Sequence, residues 1–297
     1  LETDSADLVT ALGSSSSDPL SDGSAEPPVC RLQILVERGE SKGTRWVPPP
    51  VARSRGHLLS LVSDRDNYVH CDLNQGFAFG CLHPDLAADH EFSRYYFLDA
   101  AVLTMLQHRF LVPIHAALVV RNGRGLLLCG DSTAGKSTLA YACARAGFTL
   151  VSDNAVYLQR SRRDAYALGD PTHIRLRAPG QILFPELARF PLELHRNGKA
   201  GYEIATSELG IETAPAAAID TVLFLDRWHD GNPKLDPIAP FQAHDWLKQT
   251  IFFGDPAVRC EQERCVLQVI QKPLYRFSYR NLDSAVRRLE ALTDATE

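Results

Sequence analysis

No apolar run in this chain approaches the roughly 18–20 residues that a membrane-spanning helix needs, and no stretch near its start reads as the apolar region of a secretion signal. A disulfide framework is missing too. The seven cysteines (30, 71, 81, 129, 143, 260 and 265) are odd in number, and two lie inside apolar segments. With neither signal nor framework, the expected setting is a reducing cytoplasm. Cys260 and Cys265 have no second Cys or His pair at zinc-site spacing and read as small buried hydrophobes. With 19 Gly and 18 Pro in 297 residues the chain is not collagen-like, and 45% hydrophobic against 23% charged residues excludes a wholly disordered one. At roughly 100–200 residues per domain, there is room for two domains or for one large domain with an appendage.

A broad basic surface is also lacking. Residues 1–28 hold Glu2, Asp4, Asp7, Asp18, Asp22 and Glu26 but no Lys or Arg, so they alone exceed the formal net charge of −5. The remainder is close to neutral, which argues against a dedicated nucleic-acid binder. Neither a nucleic acid nor a membrane is an expected partner.

The chain divides by composition and period. Residues 1–28, rich in Ser, Asp, Gly, Ala and Pro, carry too little apolar side chain to offset ordering entropy and read as a disordered acidic tail. From Val29, Leu32, Ile34 and Val36 alternate with polar neighbours as in a strand. Further strands are expected at His57–Val62, Tyr68–Leu73 and Gly76–Leu82, making residues 29–94 a small β-rich module. Between 91 and about 109, Phe92, Tyr95, Tyr96, Leu98, Ala101, Val102, Met105 and Leu106 recur at helical spacing. After Pro113 a strand is expected over Ile114–Val120, and strand and helix then alternate as in a nucleotide-binding α/β domain.

The informative segment is Leu126-Leu127-Leu128-Cys129-Gly130-Asp131-Ser132-Thr133-Ala134-Gly135-Lys136-Ser137-Thr138. An apolar strand runs into G-x-x-x-x-G-K-S, and a helical stretch, Thr138–Ala146, ends at Gly147. Gly130 and Gly135 let successive N–H groups converge on phosphate oxygens, while the next helix aims its positive end at the same anion. Lys136 can reach β- and γ-phosphates, and the Ser137 hydroxyl can ligate Mg²⁺. Two carboxylates end nearby apolar strands: Asp153, after Phe148–Ser152, and Asp226, after Val222–Leu225. On pattern alone either serves. No N/T-K-x-D element for reading guanine follows, so ATP is the expected nucleotide.

From about His115 to Asn154 the sequence resembles the catalytic domain of HPr serine kinase/phosphorylase and its relatives, including the HPr-kinase-like enzymes that occur with lasso-peptide biosynthesis. The resemblance rests on His115-Ala116-Ala117-Leu118-Val119, on Gly130–Ser137, and on Leu150-Val151-Ser152-Asp153-Asn154. His115 stands 15 residues before Gly130, and Asp153 stands 23 after it. Asn281–Val286 is weakly similar. The family's second acidic position is Asn154 here, and no E-x-R-G stretch is present.

The resemblance implies an HPr-kinase-like (PEP-carboxykinase-like) α/β P-loop domain over 95–297. It implies Asp153 as general base, His115 as a phosphate contact or as a support for Asp153, and Lys136 on the phosphates. Nucleotide would lie on Gly130, Asp131, Ser132, Thr133, Ala134, Gly135, Lys136, Ser137 and Thr138. Mg²⁺ would lie on Ser137, Asp153 and Asn154. Arg175 and Arg177, two apart on an extended segment, and Lys199 in a turn are further phosphate-contact candidates. Trp228, His229 and Asp230 read as a surface loop, and His244-Asp245-Trp246 as packing. The expected activity is ATP-dependent transfer of a phosphoryl group to a hydroxyl, a serine by preference, on a protein, a peptide or a small molecule. A homo-oligomer is allowed. The alternatives are a nucleotide-binding regulator without transfer and a small-molecule kinase of another P-loop family.

Overall fold

The computed structural model describes residues 2–3, 30–37, 46–194, 200–227, 231–250 and 255–294. The chain is mixed α/β with several sheets and forms two compact units, Leu1–Leu111 with Phe253–Arg259, and Val112–Phe252 with Cys260–Glu297. Among the described residues no helix is long and apolar enough to cross a membrane.

In the first unit, β1 (Glu2–Thr3), β2 (Arg31–Val36), β3 (Val51–Arg55), β4 (Leu58–Val62), β5 (Tyr68–Asp72) and β6 (Phe77–Leu82) form one sheet in the order β1-β2-β6-β5-β4-β3. Residues 2 and 3 of the expected tail thus pair with Gln33 and Ile34, and residues 4–28 lie outside the described residues. The period-2 pattern does what it should: Leu32, Ile34, Leu59, Leu61, Val69, Cys71 and Ala78 are buried on one face. Phe97, Leu98, Ala101 and Met105 of the helical run pack on that face, the last two from α1 (Asp99–Arg109). The helix that the sequence reading joined to the second domain therefore belongs to this core. Its apolar stripe has the β-rich module's sheet to cover, and the unit ends at Leu111 rather than at 94.

The second unit is built on β8 (Ala117–Arg121), β9 (Arg124–Cys129), β10 (Thr149–Ser152), β17 (Thr221–Asp226), β18 (Lys234–Pro237) and β19 (Leu274–Ser278), in the order β10-β8-β9-β17-β19-β18. β9 lies antiparallel to β8 and parallel to β17. The β8–β9 hairpin turns at Asn122 and Gly123, both at positive φ, as a tight two-residue connection requires. β9 is buried on both faces, which accounts for its unbroken apolar run. Leu126 and Leu128 pack with Leu139, Ala140 and Cys143 of α2 (Lys136–Arg145) and Leu289 of the C-terminal helix Leu282–Asp294. Leu127 and Cys129 pack on the other side with Val222, Ala243, Leu247, Val266 and Val269.

Two smaller sheets flank this one. β7 (Leu111–Ile114), β11 (Val156–Gln159), β12 (Tyr166–Gly169) and β16 (Ala216–Ala218) run in the order β16-β12-β11-β7. β13 (His173–Arg177), β14 (Glu193–Leu194) and β15 (Ala200–Ala205) run β13-β15-β14. The single strand expected over Ile114–Val120 is in fact two. The chain leaves β7 at Ile114, makes a tight turn in which Ala116 N–H donates to the Ile114 carbonyl (2.8 Å), and enters the central sheet at Ala117. His115 sits at that switch between sheets.

Candidate functional site

The strand, loop and helix of the glycine-rich motif are Arg124–Cys129, 130–135 and Lys136–Arg145. Gly130 (φ 150°) and Gly135 (φ 96°) take backbone that β-carbons disfavour, and Gly135 is the N-cap of α2. Thr133, at φ 82°, does the same with a β-branched side chain. Such strain persists only where the surroundings hold it, and it concentrates at ligand-binding loops.

Lys136 is buried, and its ammonium folds back into the loop. Nζ donates to the carbonyls of Gly130 (2.8 Å) and Asp131 (3.2 Å). Burial lowers its pKa and the Arg177 charge adds to this, with Cys129 and Asp131 opposing. The loop tip is held from two elements. Arg177 Nη2 donates to Ser132 Oγ (3.2 Å), and Trp246 Nε1, on α3 (Pro240–Leu247), donates to Asp131 Oδ1 (3.4 Å). Trp246 also sets its ring edge-on against Phe224 of β17, 5.4 Å between centroids. Read from sequence as packing alone, this residue reaches the loop as well.

Asp153 follows β10 and is 4% exposed. Ser137 Oγ donates to its backbone carbonyl (3.1 Å) and helps hold its carboxylate. The Arg175 backbone N–H donates to Oδ2 at 3.0 Å. Burial nevertheless dominates and raises the Asp153 pKa from 3.8 to about 6, against these hydrogen bonds and the Arg175 charge.

His115 is exposed to solvent on one side and hydrogen-bonds the Asn154 backbone. Its pKa is lowered, chiefly by partial desolvation and then by Lys136, so the neutral ring is favoured. Asn154 itself is exposed beside the buried Asp153. The loop, Ser137, Asp153, Asn154, His115 and Arg177 thus gather at the C-terminal ends of β9 and β10.

Arg175 does not turn to the glycine-rich loop. Its guanidinium pairs with Glu203 of β15 at 2.7 Å, directly across the β13–β15 register. Both arginines leave the same face of β13, but Glu203 engages one and leaves Arg177, opposite Gly201, to turn to the loop. Lys199 and the Trp228–Asp230 loop lie outside the described residues. Asp226 ends β17, half-buried; Ser278 Oγ donates to its Oδ2 at 3.4 Å and the Tyr279 N–H to its carbonyl at 2.9 Å. Cys265 is buried, but Cys260 is exposed, contrary to the reading of both as buried.

Among the described residues no group of three or more His, Cys, Asp or Glu side chains is placed to hold a metal by itself. Ser137 and Asp153 do fit a shared divalent cation that takes its remaining oxygens from phosphate and water. The observation behind that fit is a carboxylate almost fully buried while the nearest guanidinium is engaged by Glu203.

No family model matches the chain, and no curated protein does. Among solved structures, the Hpr(Ser) kinase/phosphatase from Coxiella burnetii is similar, at 14% identity over 61% of this chain and 96% of that one, with a TM-score of 0.33. A superposition of that quality carries nothing about residues or activity.

Proposed function

We propose that the chain is an ATP-dependent phosphotransferase, HPr-kinase-like, that moves the γ-phosphoryl group to a hydroxyl, a serine by preference, on a protein, peptide or small molecule. The observation that carries the reading is that the Ser137 hydroxyl of the G-x-x-x-x-G-K-S loop meets the buried Asp153, whose pKa is raised to about 6.

In this reading the backbone amides of 130–137 and the N-terminal end of α2 take the phosphates, and Lys136 exchanges its loop carbonyls for phosphate oxygens. Asp153 accepts the proton of the acceptor hydroxyl; a carboxyl with a pKa near 6 is a better base than an ordinary one and is still largely ionised at neutral pH. Arg177, already at Ser132, neutralises charge on the transferring group. His115, neutral and bonded to Asn154, fixes the turn that carries Asp153. Mg²⁺ held by Ser137 and Asp153, with Asn154 beside them, would supply charge neutralisation at the phosphates.

The test is γ-phosphate loss from ATP, with serine-bearing acceptors offered, in Asp153→Ala and Asp226→Ala. Asp153→Ala is expected to be inactive and Asp226→Ala to keep activity; the reverse result reassigns the base. Nucleotide binding without transfer to any hydroxyl would leave a regulator instead. A second expectation separates the arginines. Arg177→Gln is expected to cut turnover about tenfold or more, and Arg175→Gln far less, as measured by steady-state phosphate release. Equal losses would remove Arg177 from the mechanism.

A further inference from the structure

One cation at the loop has no part in the function proposed above. Arg227 follows Asp226 at the C-terminal end of β17, and the sheet order puts β17 and β10 on opposite sides of β9. Asp153 therefore approaches the loop from one flank and Arg227 from the other. A β-carbon built on Gly135 would lie 2.6 Å from Arg227 Cδ, 3.2 Å from Nε and 3.3 Å from Nη1. The arginine thus lies directly on the last glycine before Lys136. Its side chain is exposed and has no hydrogen-bond or ion-pair partner among the described residues. Its charge is felt by Tyr279, buried nearby.

Two positive features therefore meet at Gly135, the N-terminal end of α2 and the Arg227 guanidinium, while the Lys136 ammonium sits in the same loop on the carbonyls of Gly130 and Asp131. A multivalent anion in the loop can engage all of these positive groups at once. A guanidinium adds a planar two-donor fork, which suits phosphate oxygens better than a point charge does.

We infer that Arg227 is a positioning residue for the nucleotide, closing on its polyphosphate chain from the β17 side. The inference rests on the phosphotransfer reading, since it presumes phosphate in the loop. It adds a contact that sets affinity for di- and triphosphates, separate from the residues that move the proton.

The experiment is calorimetric titration of the full chain, with Mg²⁺ present, using ATP, ADP and inorganic tripolyphosphate at two salt concentrations. The wild type, Arg227→Gln and Arg227→Lys are compared. Arg227→Gln is expected to weaken all three ligands about tenfold and to make binding less salt-dependent, and Arg227→Lys to recover only part of the loss. If the wild type binds none of the three, the nucleotide reading falls and takes this inference with it. If the wild type binds and Arg227→Gln binds equally well, the inference alone is overturned. Loss of ATP and ADP with tripolyphosphate retained would place the contact on the nucleoside, and the phosphate assignment would be wrong. The side chain is exposed, and the lysine variant's partial recovery separates lost charge from lost structure.

Discussion

Asp153→Asn is expected to lower phosphoryl transfer by about 10²–10⁴-fold, the range associated with a general base, while making the metal-free chain more stable at pH 8. The two effects have one cause. The folded chain raises the Asp153 pKa from 3.8 to about 6, so the folded state holds this proton more tightly than the unfolded state does. A raised carboxyl contributes stability below its unfolded pKa and loses it as pH rises through the folded pKa. Above that point the buried carboxylate costs up to about 3 kcal/mol, the free-energy equivalent of moving from 3.8 to about 6. Asparagine removes the charge and can still accept the Arg175 N–H. Urea unfolding with chelator present should therefore show a gain for the variant that is small at or below about pH 3.8, roughly half-developed near pH 5 and at its full size by pH 8. A gap of constant size, or one that closes as pH rises, would refute the account of burial. Saturating Mg²⁺ should shrink the gap, because a cation stabilises only the ionised form.

Lys136→Ala should produce the second large effect. The ammonium is the buried donor to two loop carbonyls. Charged hydrogen bonds of this kind contribute about 1.5–3 kcal/mol each, and donors that meet charge developing in a transition state contribute about 10²–10³ in kcat. ATP affinity is therefore expected to fall about 10–100-fold and turnover by a further two to three orders of magnitude. Lys136→Arg should not rescue it. A planar fork does not reproduce the point charge with which the buried ammonium meets two loop carbonyls. Titration with a non-hydrolysable ATP analogue and single-turnover transfer would measure the two losses separately; wild-type values for both would remove the loop from the chemistry.

The parts of the fold legible in sequence are those fixed by neighbours in the chain. The run Leu126–Cys129, the two glycines and the helix after Lys136 are a local strand–loop–helix pattern, and the structure has that shape at those positions. The alternation over Leu32–Val36 and Tyr68–Asp72 likewise announces one buried face. What was not legible depends on partners distant in sequence. Nothing in Ile114–Val120 tells that β7 and β8 enter different sheets, because either half reads as an apolar strand. Arg175 and Arg177 are equivalent by spacing; only Glu203, brought opposite by the β13–β15 register, separates them. The ownership of α1 depends on which sheet lacks a cover, which no periodicity reports. Trp246 belongs to an amphipathic helix whose ring reads as core, and its indole N–H reaching Asp131 across 115 positions left no local signal.

The groups around the loop come from separate pieces of architecture, which bears on how the protein could be controlled or could diverge. Lys136 and Ser137 stand on α2 behind the central sheet, whereas the Arg175 N–H that holds Asp153 and the Arg177 side chain both belong to the small β13-β15-β14 sheet. A three-stranded sheet can open without the central one. Opening it would leave the glycine-rich loop and α2 intact while withdrawing one donor from Asp153 and one cation from the loop. Under the proposed function, grip and turnover would then be governed by two stabilities rather than one. Under the same proposal, small changes in β13 or β15 would remove turnover in a lineage while leaving nucleotide binding in place.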